Sequence, residues 1–293
     1  MIDLLEHKLI QPKKCITELE KKHPVFLYEI TVNPYSGCYY NCPFCYALTS
    51  QDKKIGIKTN ILNKLKQKLN SLIEKKSIMI GSLTEPYQPL EEEFKLTRCC
   101  LEIIIEKNFP LQIFTKSSLI LRDIDLISEY SKQGLCAVNI TLFTLEEPIK
   151  NIFEPNALGI ETRLKIIHKL HEKNILVGIV FSPILPYIND ETSKIEELFK
   201  IAKKFCADYI VPGVLVINSE ELRQRIFNIL RENFPDLVDK YEALYEEGPF
   251  PEASYIQKIN SEIISIAEKN KMKLHLPVHG FQSFFDIRME PLT

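Results

Sequence analysis

The amino-acid sequence predicts an α/β fold, namely a partial (β/α)6 barrel of the TIM type with a C-terminal helical extension covering its open side. Apolar runs of strand length alternate six times with amphipathic stretches of helix length. Polar residues also follow several of these runs at their carboxyl ends, where barrels gather functional groups around one mouth. A chain of 293 residues is long enough for one barrel-type domain with a large core.

Six segments are predicted to be buried parallel strands, because each is a short and nearly continuous apolar run. These strands are expected at 26–33, 77–83, 111–115, 136–142, 175–181 and 208–215. A helix follows Asn189 and Asp190, since apolar residues recur at three and four spacing from Ile195 to Cys206. The other helices are expected near 59–75, 96–108, 119–132, 162–173 and 219–233.

Three segments are expected along the chain. Residues 1–25 form a polar N-terminal extension, 26–235 form the barrel, and 236–293 form a C-terminal helix and tail packed on the barrel. The apolar spacing of Ile256, Ile259, Ile263 and Ile266 predicts the C-terminal helix. Because six strands leave a barrel open along one side, we expect this last segment to cover part of the gap.

Composition and charge limit the classes of partner. A formal net charge of −2 argues against a strongly electrostatic grip on duplex nucleic acid, so a small-molecule substrate is favoured. The sequence has neither an evident signal peptide nor an apolar run long enough to span a membrane. We therefore expect a cytoplasmic protein without a membrane partner.

The loop after the first predicted strand carries the clearest chemical signal. Its sequence, "NPYSGCYYNCPFCYA", places Cys38, Cys42 and Cys45 within eight positions, and it has no GxGxxG motif of a dinucleotide-binding sheet. Three thiolates leave one corner of a four-iron cluster open, which suits the binding of a small molecule at the metal. The alternative is a structural zinc site completed by a distant ligand such as His275 or His279.

The loop and four further stretches are similar to the radical S-adenosylmethionine (SAM) enzymes, in the branch that contains spore photoproduct lyase. The resemblance covers residues 28 to about 270. The stretches that carry it, in order, are "VNPYSGCYYNCPFCYA", "GSLTEPYQPLEEEFKLTR", "FTKSSLILRDIDLI", "FEPNALGIETRLKII" and "FSPILPYIND".

This resemblance implies the cofactors and the type of reaction. Cys38, Cys42 and Cys45 would ligate three irons of a [4Fe-4S] cluster, and SAM would chelate the fourth. An electron donor such as flavodoxin or ferredoxin would reduce the cluster, which then cleaves SAM to a 5′-deoxyadenosyl radical that removes a hydrogen atom from the substrate. The resemblance therefore implies an enzyme, a radical SAM lyase, whose mouth must exclude water.

The resemblance also implies a set of SAM-binding residues. Lys116 matches the lysine that pairs with the SAM carboxylate, and Asn139 occupies a position where relatives often have a serine contacting the ribose. Thr84 and Glu85 fall where the superfamily binds the SAM amino group, and many relatives have Asp in place of Glu85. Phe44, directly before the last cysteine, belongs to the same site.

The role of Arg163 stays open between two alternatives. Its guanidinium approaches the SAM carboxylate, or it bridges Glu154 as a structural ion pair.

Three classes of function are compared. Lesion repair of the spore photoproduct type requires a relay cysteine after the second strand, and "IGSLTEPYQP" has none. The favoured alternative is queuosine lyase, from the same branch, which releases queuine from a modified nucleoside. For that substrate, Asn33, Tyr35, Tyr87 and Gln88 are candidate contacts, since a deazaguanine base needs stacking and hydrogen-bonding partners. The third class is a non-enzymatic iron–sulfur or zinc module.

Overall fold

Ten strands and ten α-helices form the part of the chain that the computed structural model describes, residues 7–48, 54–134 and 136–277. The strands are β1 (His7–Ile10), β2 (Ile16–Glu18), β3 (Ile30–Val32), β4 (Tyr35–Ser36), β5 (Ile55–Lys58), β6 (Ile78–Ile80), β7 (Leu111–Thr115), β8 (Cys136–Thr141), β9 (Leu176–Ile184) and β10 (Tyr209–Val214). The helices are α1 (Ile61–Ser71), α2 (Leu90–Phe94), α3 (Leu96–Glu106), α4 (Ile124–Ser131), α5 (Glu147–Phe153), α6 (Ile160–Glu172), α7 (Thr192–Lys204), α8 (Glu220–Asn233), α9 (Val238–Leu244) and α10 (Ala253–Asn270). Short 3-10 helices lie at Ser118–Asp123 and Pro235–Leu237.

The main sheet has the strand order β10-β9-β8-β7-β6-β3-β2. Its first six members are parallel and correspond to the six predicted strands, and β2 pairs antiparallel with β3 at one edge. Helices connect successive strands, as parallel neighbours require. The prediction of an α/β partial barrel is therefore confirmed, and the sheet is not closed.

The largest apolar core lies between the sheet and the helices. Alternate strand residues, among them Ile30, Ile78 and Ile113, pack there against helix residues such as Leu65 and Leu101. The other strand residues face the inside of the partial barrel, where Met79, Phe114 and Val180 form a smaller apolar cluster with Phe26 and Tyr28 of the N-terminal segment. Successive side chains of a strand point to opposite faces of the sheet, so one set lies in the core and the other lines the barrel.

Four short strands, β1, β2, β4 and β5, were missed by the sequence patterns. β1, β5 and β4 form a separate three-stranded sheet, and β2 extends the main sheet. Each has only two to four residues, partly exposed in most cases, so neither length nor periodicity marks it as a strand.

The C-terminal segment lies beside the last strand. Helix α10 packs on α7 through Ile259, Ile263 and Ile266, which belong to the main core. After α10, the Ile210 amide donates to the Lys273 carbonyl at 2.9 Å, so this segment pairs with the free edge of β10. The boundaries at 25/26 and 235/236 stay predictions. None of the helices in the described ranges combines the length and hydropathy needed to cross a bilayer.

Candidate active site at the mouth of the barrel

The cysteine loop lies at the carboxyl end of the first barrel strand. Cys38, Cys42 and Cys45 pack in one cluster with Tyr40 of the loop and with Ala157 from the segment between α5 and α6. The Cys45 amide donates to the Cys42 carbonyl at 2.9 Å, and positive φ angles of 75° at Gly37 and 48° at Asn41 turn the backbone. Burial raises the pKa of Cys38 to about 11 and that of Cys42 to about 12.

The loop after the second barrel strand braces the cysteine loop. The Thr84 hydroxyl donates to the Gly37 carbonyl at 2.5 Å, and the Gln88 amide oxygen accepts from the Tyr39 amide at 3.0 Å. The Gln88 side-chain nitrogen also donates to the Thr84 hydroxyl at 3.3 Å. Asn33 binds the same loop, since its side-chain oxygen accepts from the Leu83 amide at 2.9 Å.

The role of Asn33 and Gln88 as substrate contacts stays a prediction, and in this structure both side chains are buried. Gln88 is fully buried and Asn33 is 4% exposed, and both side chains bind protein partners. Their observed role is to hold the first two βα loops in register.

The predicted contacts of Tyr35 and Tyr87 with the base likewise stay predictions. Both rings are buried, at 0% and 1% exposure, and their hydroxyls donate to the carboxylates of Glu91 and Asp123. Arg122 joins these two carboxylates, at 2.7 Å from Glu91 and 2.8 Å from Asp123. The rings are thus part of a buried polar network behind the loop.

Glu85 lies beneath the cysteine loop with its carboxylate inside the protein. It accepts hydrogen bonds from the Thr115 hydroxyl, from the Lys116 amide at 3.0 Å and from the Tyr87 amide at 3.0 Å. Burial raises the pKa of this carboxyl group, although the three donors oppose the rise. Its side chain is occupied, so any contact of residues 84–85 with the SAM amino group falls to the backbone, which stays a prediction.

Lys116 is at the carboxyl end of β7, next to the cysteine loop. Its ammonium is 2.7 Å from Glu154, 3.7 Å from the Cys42 sulfur and 5.8 Å from the centre of the Phe44 ring. Burial alone would lower the pKa of Lys116, but the Cys42 sulfur and the Glu154 carboxylate outweigh it and raise the pKa. The side chain is therefore a cation at the edge of the cysteine cluster.

Arg163 pairs with the other oxygen of Glu154, at 2.5 Å. Its remaining donors bind the Leu158 carbonyl at 3.0 Å and the Thr141 carbonyl at 3.1 Å, and the residue is fully buried. Of the two alternatives for Arg163, the structure has the ion pair with Glu154. Lys116, Glu154 and Arg163 together carry two positive charges and one negative charge, so a single anionic group would balance them.

Asn139 lies inside the barrel on β8 and is fully buried. Its side-chain oxygen accepts from the Tyr209 hydroxyl at 2.9 Å, and its side-chain nitrogen has no partner among the described residues. Thr141, two positions along the same strand face, likewise has a buried hydroxyl without a partner in the described ranges. Buried polar atoms are almost always paired, so two free ones on one strand face indicate a place for a ligand.

Sequence reasoning missed two parts of this site. Glu154 was considered only as a partner of Arg163, whereas it also binds Lys116. Tyr209 gave no signal, because a tyrosine that begins a buried strand looks like an ordinary core residue. Thr141 is a polar residue near the end of the same predicted strand as Asn139. Its two-residue spacing from Asn139 was the available sign that both side chains share a face.

The residues at the mouth fit an iron–sulfur cluster with bound SAM. In the described ranges, no three Cys, His, Asp or Glu side chains are grouped as a site for a single metal ion. A four-iron cluster instead needs one thiolate on each of three irons. The three thiols share one cluster of packed residues, and Lys116 beside Cys42 supplies a cation for the SAM carboxylate. His279, considered as a zinc ligand, lies outside the described residues.

A three-cysteine loop at the open mouth of a partial α/β barrel defines a class of enzymes that use an iron–sulfur cluster to activate a bound small molecule. Residues 32–200 match the family model of the radical SAM superfamily, and the chain belongs to that superfamily. Its members are enzymes that use a [4Fe-4S] cluster and SAM.

Two relatives and one solved structure are similar to this chain. An uncharacterised protein of Methanocaldococcus jannaschii is 30% identical over 236 residues, which cover 79% of this chain and 85% of the relative. An uncharacterised protein of Mycobacterium tuberculosis strain H37Rv is 25% identical over 258 residues, which cover 84% of this chain and 75% of the relative. A solved structure of a spore photoproduct lyase mutant with bound AdoMet and dinucleoside spore photoproduct has a similar fold. Its TM-score is 0.65 at 15% identity, and the match covers 89% of this chain and 78% of that one.

Proposed function

We propose that this radical SAM enzyme is a lyase that cleaves the base–sugar link of a modified nucleoside and releases queuine from queuosine or its 5′-phosphate. The observation that carries the proposal is the loop between β6 and α2, which has no cysteine to act as a hydrogen-atom relay. The net charge of −2 further favours a nucleoside-sized substrate over duplex nucleic acid.

The residues at the mouth have distinct roles in this proposal. Cys38, Cys42 and Cys45 hold the cluster, and Lys116 and Asn139 bind SAM. When bound, these cofactors supply a 5′-deoxyadenosyl radical that abstracts a hydrogen atom from the substrate. Removal of a hydrogen from the ribose carbon next to C1′ would allow the C1′–N bond to break homolytically, which leaves a double bond in the sugar and the unpaired electron on the base. The base would then become queuine by taking up one electron from the electron donor and one proton from solvent.

An apolar cluster inside the barrel supports such a reaction. Met79, Phe114 and Val180 are each at most 8% exposed and pack against Phe26 and Tyr28. This packing keeps water away from a reactive intermediate above it. Since Tyr35, Tyr87, Asn33 and Gln88 bind protein partners in this structure, recognition of the base would also require other residues of the mouth.

A second candidate is lesion cleavage of the spore photoproduct type. A spore photoproduct lyase structure of similar fold contains a dinucleoside spore photoproduct, and a dinucleoside is small enough for a near-neutral protein to bind. Its relay cysteine has no counterpart in the loop between β6 and α2.

One experiment separates these candidates. Anaerobically reconstituted and reduced protein is incubated with SAM and, in separate reactions, with queuosine, queuosine 5′-phosphate and dinucleoside spore photoproduct. We expect queuine and 5′-deoxyadenosine by mass spectrometry in a queuosine reaction, and neither product with the Cys42→Ala variant. If 5′-deoxyadenosine forms without queuine, the queuosine proposal is wrong, and repaired thymine dinucleotide would establish the second candidate.

A further inference from the structure

Tyr209 lies across the inside of the barrel on a single rung of the sheet. Phe114 of β7, Asn139 of β8, Gly178 of β9 and Tyr209 of β10 are paired in register, one after another. Neighbouring strands are about 4.8 Å apart, so Asn139 and Tyr209 are separated by the whole width of β9. Their side chains nevertheless meet, with the Tyr209 hydroxyl 2.9 Å from the Asn139 oxygen.

The contact is possible because the residue between them is glycine. A Cβ atom at Gly178 would lie 2.1 to 2.5 Å from three atoms of the Tyr209 ring. Any other residue would therefore push the ring away from Asn139. The Tyr209 ring occupies the space that a side chain at position 178 would fill.

This hydrogen bond fixes which end of the Asn139 amide is free. The Tyr209 hydroxyl donates to the amide oxygen of Asn139. Burial raises the pKa of Tyr209 well above its usual value, so the hydroxyl keeps the proton that it donates. The amide nitrogen is then left as a buried donor with no partner in the described part of the chain. On the next inward-facing rung toward the mouth, Thr141 of β8 has a buried hydroxyl that also lacks a partner among the described residues.

We propose that Tyr209, through the space left by Gly178, is a positioning residue that holds Asn139 as an obligate hydrogen-bond donor to an acceptor atom of bound SAM. The inference rests on the SAM site of the proposed function and deepens it. It assigns a direction to the hydrogen bond between Asn139 and SAM: Asn139 donates and SAM accepts. A donor group of the ligand at this position would face the N–H donor of Asn139. Tyr209 itself does not touch SAM.

A double-mutant cycle on SAM affinity tests this assignment. The dissociation constant of SAM is measured for the anaerobic, cluster-loaded protein, with iron content and circular dichroism as checks of folding. We expect Asn139→Ala to weaken SAM binding about tenfold and Tyr209→Phe about three- to tenfold. Tyr209→Phe should then have no further effect in the Asn139→Ala background, because it acts through that side chain.

Two more variants make the result decisive. Asn139→Asp keeps the acceptor for Tyr209 and has no donor only when its carboxyl group is ionised. Because burial raises the pKa of a carboxyl group, ionisation of the variant is checked by infrared spectroscopy, and the ionised variant should bind SAM as weakly as Asn139→Ala. Should the aspartate variant not fold, Asn139→Ser keeps a donor and should recover part of the affinity. The matched control is Tyr130→Phe, which removes another buried hydroxyl, bonded to the Phe109 carbonyl at 2.7 Å, and should leave SAM affinity unchanged.

Three results would overturn the inference: unchanged SAM affinity in Asn139→Ala, wild-type affinity in a folded Asn139→Asp protein whose carboxyl group is ionised, or the same loss from Tyr209→Phe with and without Asn139. None of these measurements uses queuosine. Failure of the positioning role is therefore distinguishable from failure of the queuosine proposal, which is read from queuine release.

Discussion

Lys116 is the residue on which the SAM site depends most directly. Its ammonium contacts the Glu154 carboxylate and the Cys42 sulfur, and Arg163 binds the opposite oxygen of Glu154. Since Arg163 is fully buried and keeps its own pairing, Glu154 stays compensated when a ligand carboxylate shares Lys116. Glu154 therefore holds the Lys116 ammonium in place, and the ammonium can still pair with a ligand carboxylate.

Removal of the Lys116 side chain should weaken SAM binding while the cluster stays intact. We expect Lys116→Ala to cost about 1.5 to 3 kcal/mol of SAM binding free energy, the scale of a charge-assisted hydrogen bond. Titration of SAM into the reconstituted variant measures the loss, and iron analysis measures the cluster. Lys132→Ala, an exposed lysine paired with Glu129, is the control. Wild-type SAM affinity in Lys116→Ala would remove this residue from the site.

The residues near the site were easier to predict than the directions in which their side chains point. The cysteine spacing and the lysine at the end of β7 are visible in the sequence, because each depends on a local stretch. The roles of Tyr35 and Tyr87 were not visible, since their partners Glu91 and Asp123 lie 56 and 36 positions away. A tyrosine near a strand end has the same local signature whether its ring faces the mouth or the core.

At the scale of elements, βα loops are held to one another by side chains that were candidates for ligand binding. Thr84 and Gln88 bind the cysteine loop, while Arg122 binds the carboxylates of Glu91 and Asp123 behind the second loop. Parallel strands were predictable as runs of Ile and Val buried on both faces. The short strands β1, β2, β4 and β5 were not, because pairing with distant strands, rather than their own pattern, stabilises them.

Helix α8 reaches the far end of the cysteine loop through Arg225. One guanidinium nitrogen donates to the carbonyls of Cys45 at 3.2 Å and Leu48 at 3.0 Å. The other two nitrogens are buried and have no partner among the described residues. A cation from the sixth βα unit thus clamps a loop that follows the first barrel strand.

Loss of this clamp should loosen the cluster. We expect Arg225→Leu to lose iron to a chelator about thirtyfold faster than the wild type, because two hydrogen bonds of about 1 kcal/mol each no longer oppose opening of the loop. Decay of the brown chromophore under anaerobic conditions gives the rate. Arg231→Leu removes an arginine of the same helix that binds Asn228 and not the loop, and it should decay like the wild type. Equal rates for the two variants would exclude the clamp.

At the scale of the whole molecule, the C-terminal helix shares its core with the barrel. Ile259, Ile263 and Ile266 of α10 belong to the same buried cluster as the strand residues Ile78 and Ile113. The segment after α10 also pairs with β10 through Lys273. These contacts predict that the barrel and the C-terminal segment unfold together, although the sequence set a boundary between them at 235/236.

A pair of neighbouring isoleucines tests this coupling. Ile263 is 1% exposed and faces the core, whereas Ile264 is 38% exposed. We expect Ile263→Ala to lower the free energy of unfolding of the whole chain by about 3 kcal/mol, the usual cost of a buried cavity, and Ile264→Ala by about 0.5 kcal/mol or less.

Denaturant unfolding is followed by helix circular dichroism and by tyrosine fluorescence, which the chain's twelve tyrosines and lack of tryptophan make suitable. Coincident transitions that shift together in Ile263→Ala would mean one cooperative unit, because a cavity in a shared core destabilises every element that packs around it. A separate early transition, with the barrel's own midpoint unchanged, would instead mean that residues 236–293 fold as an independent unit.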